Sequence, residues 1–323
     1  MSMHAAVVRS FGQPPRYETY DTPEPAEPGE AVVDVLAAGL HPRVRSGASG
    51  THYTSTGTLP MIPGIDGVGR LTDGQRIYFL TPDDTWGSMA ERAVVDPRRT
   101  VPLPENADVA KIAAAMNPAM SSWVALRRRV PLQEGQSVLI LGATGNAGAM
   151  AVQVAKRLGA GRVVGAGRSQ ARLAELPAIG ADEVVPLTDD PEVTAEHLAS
   201  AAAEVDIVID YLWGEPASFT MMALLKARAD RSRAMDWIQI GAIAGPTIEL
   251  PSAILRSANL RIQGNGQGAI SPRGYLAELP SLIDEIDAGT IKVEVREVPL
   301  ADVESAWNAP VAPGVRTVLI PGS

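Results

Sequence analysis

Residues 138–148, VLILGATGNAG, constrain this chain more than any other stretch. Four apolar residues (Val138, Leu139, Ile140, Leu141) run into Gly142-Ala143-Thr144-Gly145-Asn146-Ala147-Gly148, and an Ala-rich, helix-forming segment follows at 149–158. A strand, a glycine turn and a helix in that order leave backbone N–H groups pointing outward at a helix N-terminus, which favours a bound phosphate. Gly142 suits the tight turn, Gly145 lets backbone approach a pyrophosphate, and Gly148 lets the helix pack close on the strand. The spacing is GxxGxxG rather than GxGxxG, so the surrounding pattern has to carry the argument.

That pattern alternates. Strand-like runs at 138–141, 162–167, 183–187, 205–210 and 236–241 are separated by helical stretches at 149–158, 170–179, 191–203 and 216–227. Five alternations after a glycine turn predict a doubly wound parallel sheet that holds a dinucleotide.

The flanks read differently. Short apolar runs at 5–8, 31–37, 76–80 and 90–95 alternate with Pro14-Pro15, Pro23-Glu24-Pro25, Pro28-Gly29 and Pro97, an antiparallel, barrel-like pattern. Helices are expected over 108–129, a loop at 264–268, a helix over 271–288, and strands at 293–298 and 317–320. The terminal strand is expected to rejoin the N-terminal barrel. The expected domains are therefore 1–118 with 265–323, and 119–264 inserted between them.

Composition removes several functions. The chain has 323 residues, a net charge of −9 and no basic stripe, which argues against a nucleic-acid partner. It has no cysteine, so disulfides, cysteine nucleophiles and thiolate metal sites are excluded. The N-terminus lacks a signal-like apolar run, and no stretch approaches the ~18 apolar residues of a membrane span. A soluble, cytoplasmic protein is the expectation.

The β-rich start, Pro63-Gly64-Ile65-Asp66-Gly67-Val68-Gly69, the helix bearing Asn117-Pro118-Ala119-Met120-Ser121-Ser122-Trp123, and the glycine turn together resemble the medium-chain dehydrogenase/reductase superfamily. The resemblance covers nearly the whole chain and is closest to the zinc-free quinone oxidoreductase branch. It implies an α/β protein: a GroES-like β-barrel domain plus a Rossmann doubly wound parallel-sheet domain, with substrate bound in the cleft between them. It also implies a homodimer formed by sheet extension. Zinc-dependent members carry a cysteine near Leu40-His41-Pro42, a GHE triplet where this chain reads Gly64-Ile65-Asp66, and a four-cysteine lobe that is missing here. No metal is therefore expected.

The end of the second strand predicts the cofactor. An Asp or Glu there binds a free ribose 2′-hydroxyl. This chain has Gly167-Arg168-Ser169 and no acid until Glu175, so Arg168 and Ser169 suit a 2′-phosphate, with Arg172 a second charge on the same face. NADPH is the expected cofactor. Further contacts are expected from Gly142, Thr144, Gly145, Asn146, Ala147 and Gly148 in the turn. Strand ends should add Tyr211, Gly241 and Ala242. By resemblance, Asn265 and Gln267 lie where the family passes a loop over the nicotinamide, and Ser121 aligns with a threonine near it.

Without a Lewis acid, the chemistry implied is hydride addition to a quinone or an α,β-unsaturated carbonyl, which needs a hydrogen-bond donor at the acceptor oxygen. Tyr53 falls one residue from the branch's active-site tyrosine; it reads equally as a barrel tyrosine with a wet tip. His41 replaces the family's asparagine and is read as a donor or as a structural histidine. Val44 stands where the family has an aspartate. Asn117 is read as a helix N-cap or a substrate contact, and Trp86 as shaping the substrate site. Arg127-Arg128-Arg129 is read as a solvated helix end. Two other functions stay open: a metal-free alcohol/aldehyde oxidoreductase, and a non-catalytic NADPH-binding sensor.

Overall fold

Seven strands come first: β1 (Ser2–Val7), β2 (Arg16–Asp21), β3 (Ala31–Leu40), β4 (Asp66–Arg70), β5 (Arg76–Leu80), β6 (Arg92–Val95) and β7 (Thr100–Pro102), with α1 (Pro42–Ala48) after β3. This is a computed structural model describing residues 1–312 and 314–322. Val33, Val35 and Ala37 of β3 alternate inward and are buried, the period expected of a sheet with one face on a core. The strands over 16–21 and 66–70 are short and rich in polar residues or glycine, which is why the sequence pattern does not show them.

A helix, α2 (Val109–Val124), follows and runs into a π-turn at Ala125–Arg129. Asn117 lies in the middle of α2 and is not its N-cap, and Pro118 sits inside the same helix. The apolar run Ala113–Met116 carries the helix across the Asn-Pro pair, so burial overrides the local stop signal.

The parallel sheet then forms from β8 (Ser137–Leu141), β9 (Arg162–Gly167), β10 (Glu183–Pro186), β11 (Ile207–Asp210), β12 (Met235–Gln239) and β13 (Leu260–Gly264). Between them lie α3 (Asn146–Arg157), α4 (Gln170–Glu175), α5 (Pro191–Ala202), α6 (Gly214–Ala227) and α7 (Ser252–Ser257). The order across the sheet is β10-β9-β8-β11-β12-β13, all parallel. Strand order reverses between β8 and β11, the switch point where ligands of such sheets bind. Both faces are covered, and Val138 through Leu141 are all buried. The sheet has six strands rather than the expected five, because 260–264 pairs with β12.

The chain continues with α8 (Pro272–Leu276), α9 (Leu279–Asp287), β14 (Glu294–Pro299), α10 (Val303–Asn308) and β15 (Val315–Ile320). The single helix expected over 271–288 is two, because Pro280 sits at the first turn of α9, where proline starts a helix rather than continuing one. β15 pairs antiparallel with β3, so the terminal strand rejoins the N-terminal sheet.

Two units result: 1–117 with 279–323, and 118–278. The second boundary lies at 278/279 rather than 264/265, and 265–278 stays with the parallel-sheet unit through side-chain bonds described below. Among the described residues no helix is long and apolar enough to cross a membrane.

Candidate active site

The glycine turn leaves β8 through Gly142, whose φ of 85° lies in the left-handed region. Gly145 opens α3 and supplies no side-chain cap, which leaves the first N–H groups of the helix for a ligand. A Cβ on Gly148 would meet the Gly142 carbonyl oxygen at 2.2 Å. A Cβ on Gly167, at the end of β9, would lie 2.4 Å from the Thr144 side chain. Turn and neighbouring strand end are thus interlocked at backbone distance.

Across the switch point, Asp210 ends β11 and is fully buried. Its Oδ1 accepts from the backbone of Leu212 (2.8 Å) and Trp213 (3.0 Å), and its Oδ2 accepts from Trp237 Nε1 (3.0 Å). Burial raises its pKa against those three donors. The donors hold Trp213 at φ 52°, ψ −159°, a conformation costly for a residue with a side chain. The strand-end pattern also points to Asp210 as a cofactor contact, but its carboxylate is engaged by Leu212, Trp213 and Trp237 within the protein.

Tyr211 turns back toward α2. Its hydroxyl lies 2.9 Å from Ser121 Oγ, which itself donates to the Pro118 carbonyl at 2.9 Å. With the serine proton spent on Pro118, Tyr211 is the donor in that pair. Burial pushes the phenol up to about 12, so it stays protonated near neutral pH. A Cβ on Gly241 would come within 2.6 Å of the Tyr211 carbonyl oxygen. Asn265, 6% exposed, donates from Nδ2 to the Ser121 carbonyl oxygen at 2.8 Å. Because that partner only accepts, the amide orientation is determined, and Asn265 Oδ1 is left buried without a partner. An orphaned acceptor of this kind calls for a ligand donor. Ser121, Tyr211 and Asn265 are therefore brought together, with Gly142 and Gly241 packed on Tyr211, and the unmet Oδ1 fits a ligand that brings an N–H. Ala242 and Gln267 lie nearby in sequence and are exposed.

At the ends of β9 and β10 a pocket of about 590 Å³ is lined by Arg168, Ser169, Gln170, Leu187, Thr188 and Asp189. Ser169 caps α4 by accepting from the Arg172 backbone at 3.4 Å. The Arg172 guanidinium is paired with Glu175 on its own helix, so the second charge expected beside Arg168 is largely compensated there. Asp189 is an acid in this pocket that strand-end reasoning did not reach, because it arrives from the next strand.

In the other unit, His41 and Asp66 are buried and joined, His41 Nε2 to Asp66 Oδ1, at 3.2 Å. Tyr78 donates to Asp66 Oδ2 at 2.7 Å. Burial lowers the pKa of His41 and outweighs the opposing pull of Asp66. Of the two readings of His41, donor to substrate or structural histidine, the enclosed ring favours the structural one, and His41 Nδ1 has no partner. Arg316 is also buried here, its pKa held down to about 10 by burial. These are the positions where the resemblance puts zinc ligands. His41 and Asp66 bond each other, Asp66 also accepts from Tyr78, Ile65 offers no donor atom, and among the described residues no three His, Asp or Glu converge for a metal. The residues do not fit a tetrahedral zinc site.

Tyr53 is 72% exposed and lies 4.3 Å, ring to ring, from His52. Trp86 is half-buried, edge-on to Tyr20 at 5.5 Å. Asn117 is half-buried in α2. The arginine run at 127–129 does end the helical stretch with Arg127 and Arg128 exposed, but both also pair with the buried Glu278.

Fold and site define a two-unit protein built to bind a dinucleotide at the switch point of a Rossmann sheet. The family model described as zinc-binding dehydrogenase matches residues 147–275. A probable NADPH-dependent quinone reductase of Emericella nidulans is 31% identical over 364 residues, spanning 99% of this chain and 100% of the relative. The quinone oxidoreductase of Thermus thermophilus, solved with and without NADPH, superposes with a TM-score of 0.79 at 29% identity over 98% of this chain and 100% of that one. A putative NADPH:quinone reductase from Bacillus thuringiensis, at 21% identity, shares the fold with a TM-score of 0.81 over 99% of each chain. The chain belongs to the medium-chain dehydrogenase/reductase family, in its quinone oxidoreductase-like branch.

Proposed function

We propose that this chain is an NADPH-dependent, metal-free reductase that delivers hydride to a quinone or an α,β-unsaturated carbonyl. The observation that carries the reading is the switch-point cluster, where Gly142 packs on Tyr211, Tyr211 and Asn265 both bond Ser121, and Asn265 Oδ1 is left without a partner, with Arg168 and Ser169 in place of a strand-end acid. The name of the Emericella nidulans relative supports the same cofactor and acceptor class. The cofactor supplies the hydride. Residues Gly142, Thr144, Gly145, Asn146, Ala147 and Gly148 receive its pyrophosphate at the start of α3. Arg168 and Ser169 hold the 2′-phosphate. Ser121, Tyr211 and Asn265 hold the nicotinamide end, bordered by Gly241, Ala242 and Gln267. Tyr53 donates a hydrogen bond to the acceptor oxygen as negative charge develops there. Trp86 and Asn117 contact substrate. The mutual engagement of His41 and Asp66 supports zinc independence. The chain works as a cytoplasmic homodimer, its sheet extended across the edge strand β13; light scattering that finds only a 33.9 kDa species at micromolar concentration would remove that part.

The deciding experiment is NADPH oxidation, beside NADH, with 1,4-benzoquinone, 9,10-phenanthrenequinone, 2-alkenals and cyclic enones as acceptors. Turnover with a quinone or enone supports the reaction class. Tight NADPH binding with no turnover on any acceptor would replace it with the sensor reading.

A further inference from the structure

Glu278 is a carboxylate with only 2% of its surface exposed, and nothing in the reaction proposed above uses it. Its two oxygens are taken by Arg127 Nε and Arg128 Nε. The Arg127 guanidinium also lies over the Trp123 ring, 5.2 Å from its centre. Arg129, the next residue, donates from Nε to the Gly264 carbonyl (3.0 Å) and from Nη1 to the Ala269 carbonyl (3.3 Å). Three consecutive arginines on the π-turn that ends α2 thus hold one segment at 264, 269 and 278. Turns of this kind are frequent at functional sites. Asn265, with its orphaned Oδ1, lies between the anchors, and its Nδ2 bonds Ser121, earlier on the same helix.

We propose that Arg127, Arg128, Arg129 and Glu278 form a positioning clamp. It keeps 264–278 against the end of α2, so that Asn265 stays on Ser121 and presents Oδ1 to the nicotinamide carboxamide. The proposal rests on the NADPH reading. An apolar plug would seal the same place at a lower desolvation cost. Guanidinium groups fixed on one carboxylate instead set direction as well as closure. A buried carboxylate without both partners is strongly unfavourable, so the segment has one stable position.

The test compares NADPH with 2′,5′-ADP, which carries the phosphate-binding half of the cofactor and no nicotinamide. Binding of each is measured by calorimetry on the wild type, Glu278→Gln and Arg129→Ala. The expected result is a loss of about tenfold in NADPH affinity in both variants, with 2′,5′-ADP changed by less than about twofold. Equal losses for the two ligands would mean that the clamp serves only general stability, and unchanged NADPH affinity would mean that it positions nothing; either overturns the proposal. Should Glu278→Gln fail to fold, Arg129→Ala carries the comparison alone, because Arg129 is exposed in part and leaves the buried carboxylate paired. A wild type that binds neither ligand would instead remove the NADPH reading itself.

Discussion

Gly148 packs so closely on Gly142 that a Cβ at position 148 would lie 2.2 Å from the Gly142 carbonyl oxygen and 2.6 Å from Ala143 Cα. Both neighbours are backbone, so nothing can swing aside. Gly148→Ala is expected to push α3 away from β8, destabilise the protein by about 1–3 kcal/mol and weaken NADPH binding. Thermal unfolding and calorimetric titration measure the two effects. A variant that keeps wild-type affinity would show that the start of α3 does not contact the pyrophosphate.

Arg168 and Asp189 line one pocket with opposite charges. Arg168→Ala should cost NADPH about 1.5–3 kcal/mol of binding while NADH changes little, as expected for the loss of a charge-assisted phosphate contact. Asp189→Asn should act in the opposite direction and raise the preference for NADPH. Steady-state KM values for both nucleotides give the answer. Equal losses with both cofactors in Arg168→Ala would end the 2′-phosphate assignment.

Tyr53 is the candidate donor that solvent reaches freely. Tyr53→Phe is expected to lower kcat for quinone or enone reduction by about 10²-fold, in the range for losing one oxyanion donor, and to leave NADPH binding intact. A kcat within a factor of about two of wild type would assign the role to another group.

His41 makes stability depend on acid. Its pKa lies below the usual 6.5 because burial disfavours the charged ring. Well above pH 6.5 both folded and unfolded chains carry the neutral ring, and no effect is expected. As pH falls below 6.5, the unfolded chain takes up a proton that the folded one refuses, so stability drops on acidification. His52, held down to about 4 by burial and by Arg43, adds to the same slope. His41→Asn should flatten the decline of Tm between pH 6.5 and about 5 without abolishing it. An identical slope in the variant would mean that His41 titrates normally.

Most of the parallel-sheet unit was legible because its signal is local. An apolar run must enter a glycine turn and leave on a helix, and five repetitions of run and helix admit few other folds. β13 escaped because 260–264 mixes exposed and half-buried residues at the sheet edge, where no continuous apolar run is needed. Asn117 was misplaced for the converse reason: Asn-Pro reads as a helix start, but the helix is held on both sides of it by burial. The arginine run showed its charge but not its partner, since Glu278 is 150 residues away from Arg128.

The sequence by itself determined the strand, glycine turn and helix at 138–157, the chain order of five of the parallel sheet's six strands, and the lack of a thiolate to bind metal. These follow from spacing and residue type within a few turns of chain. Only the tertiary structure decided which distant groups meet: Asn265 on Ser121 with one acceptor unmet, His41 closed onto Asp66, Asp189 opposite Arg168, and three arginines around one segment. Side-chain partners of that kind depend on how the sheet folds its connections together, and a hydrogen bond carries no trace in the sequence between the residues it joins.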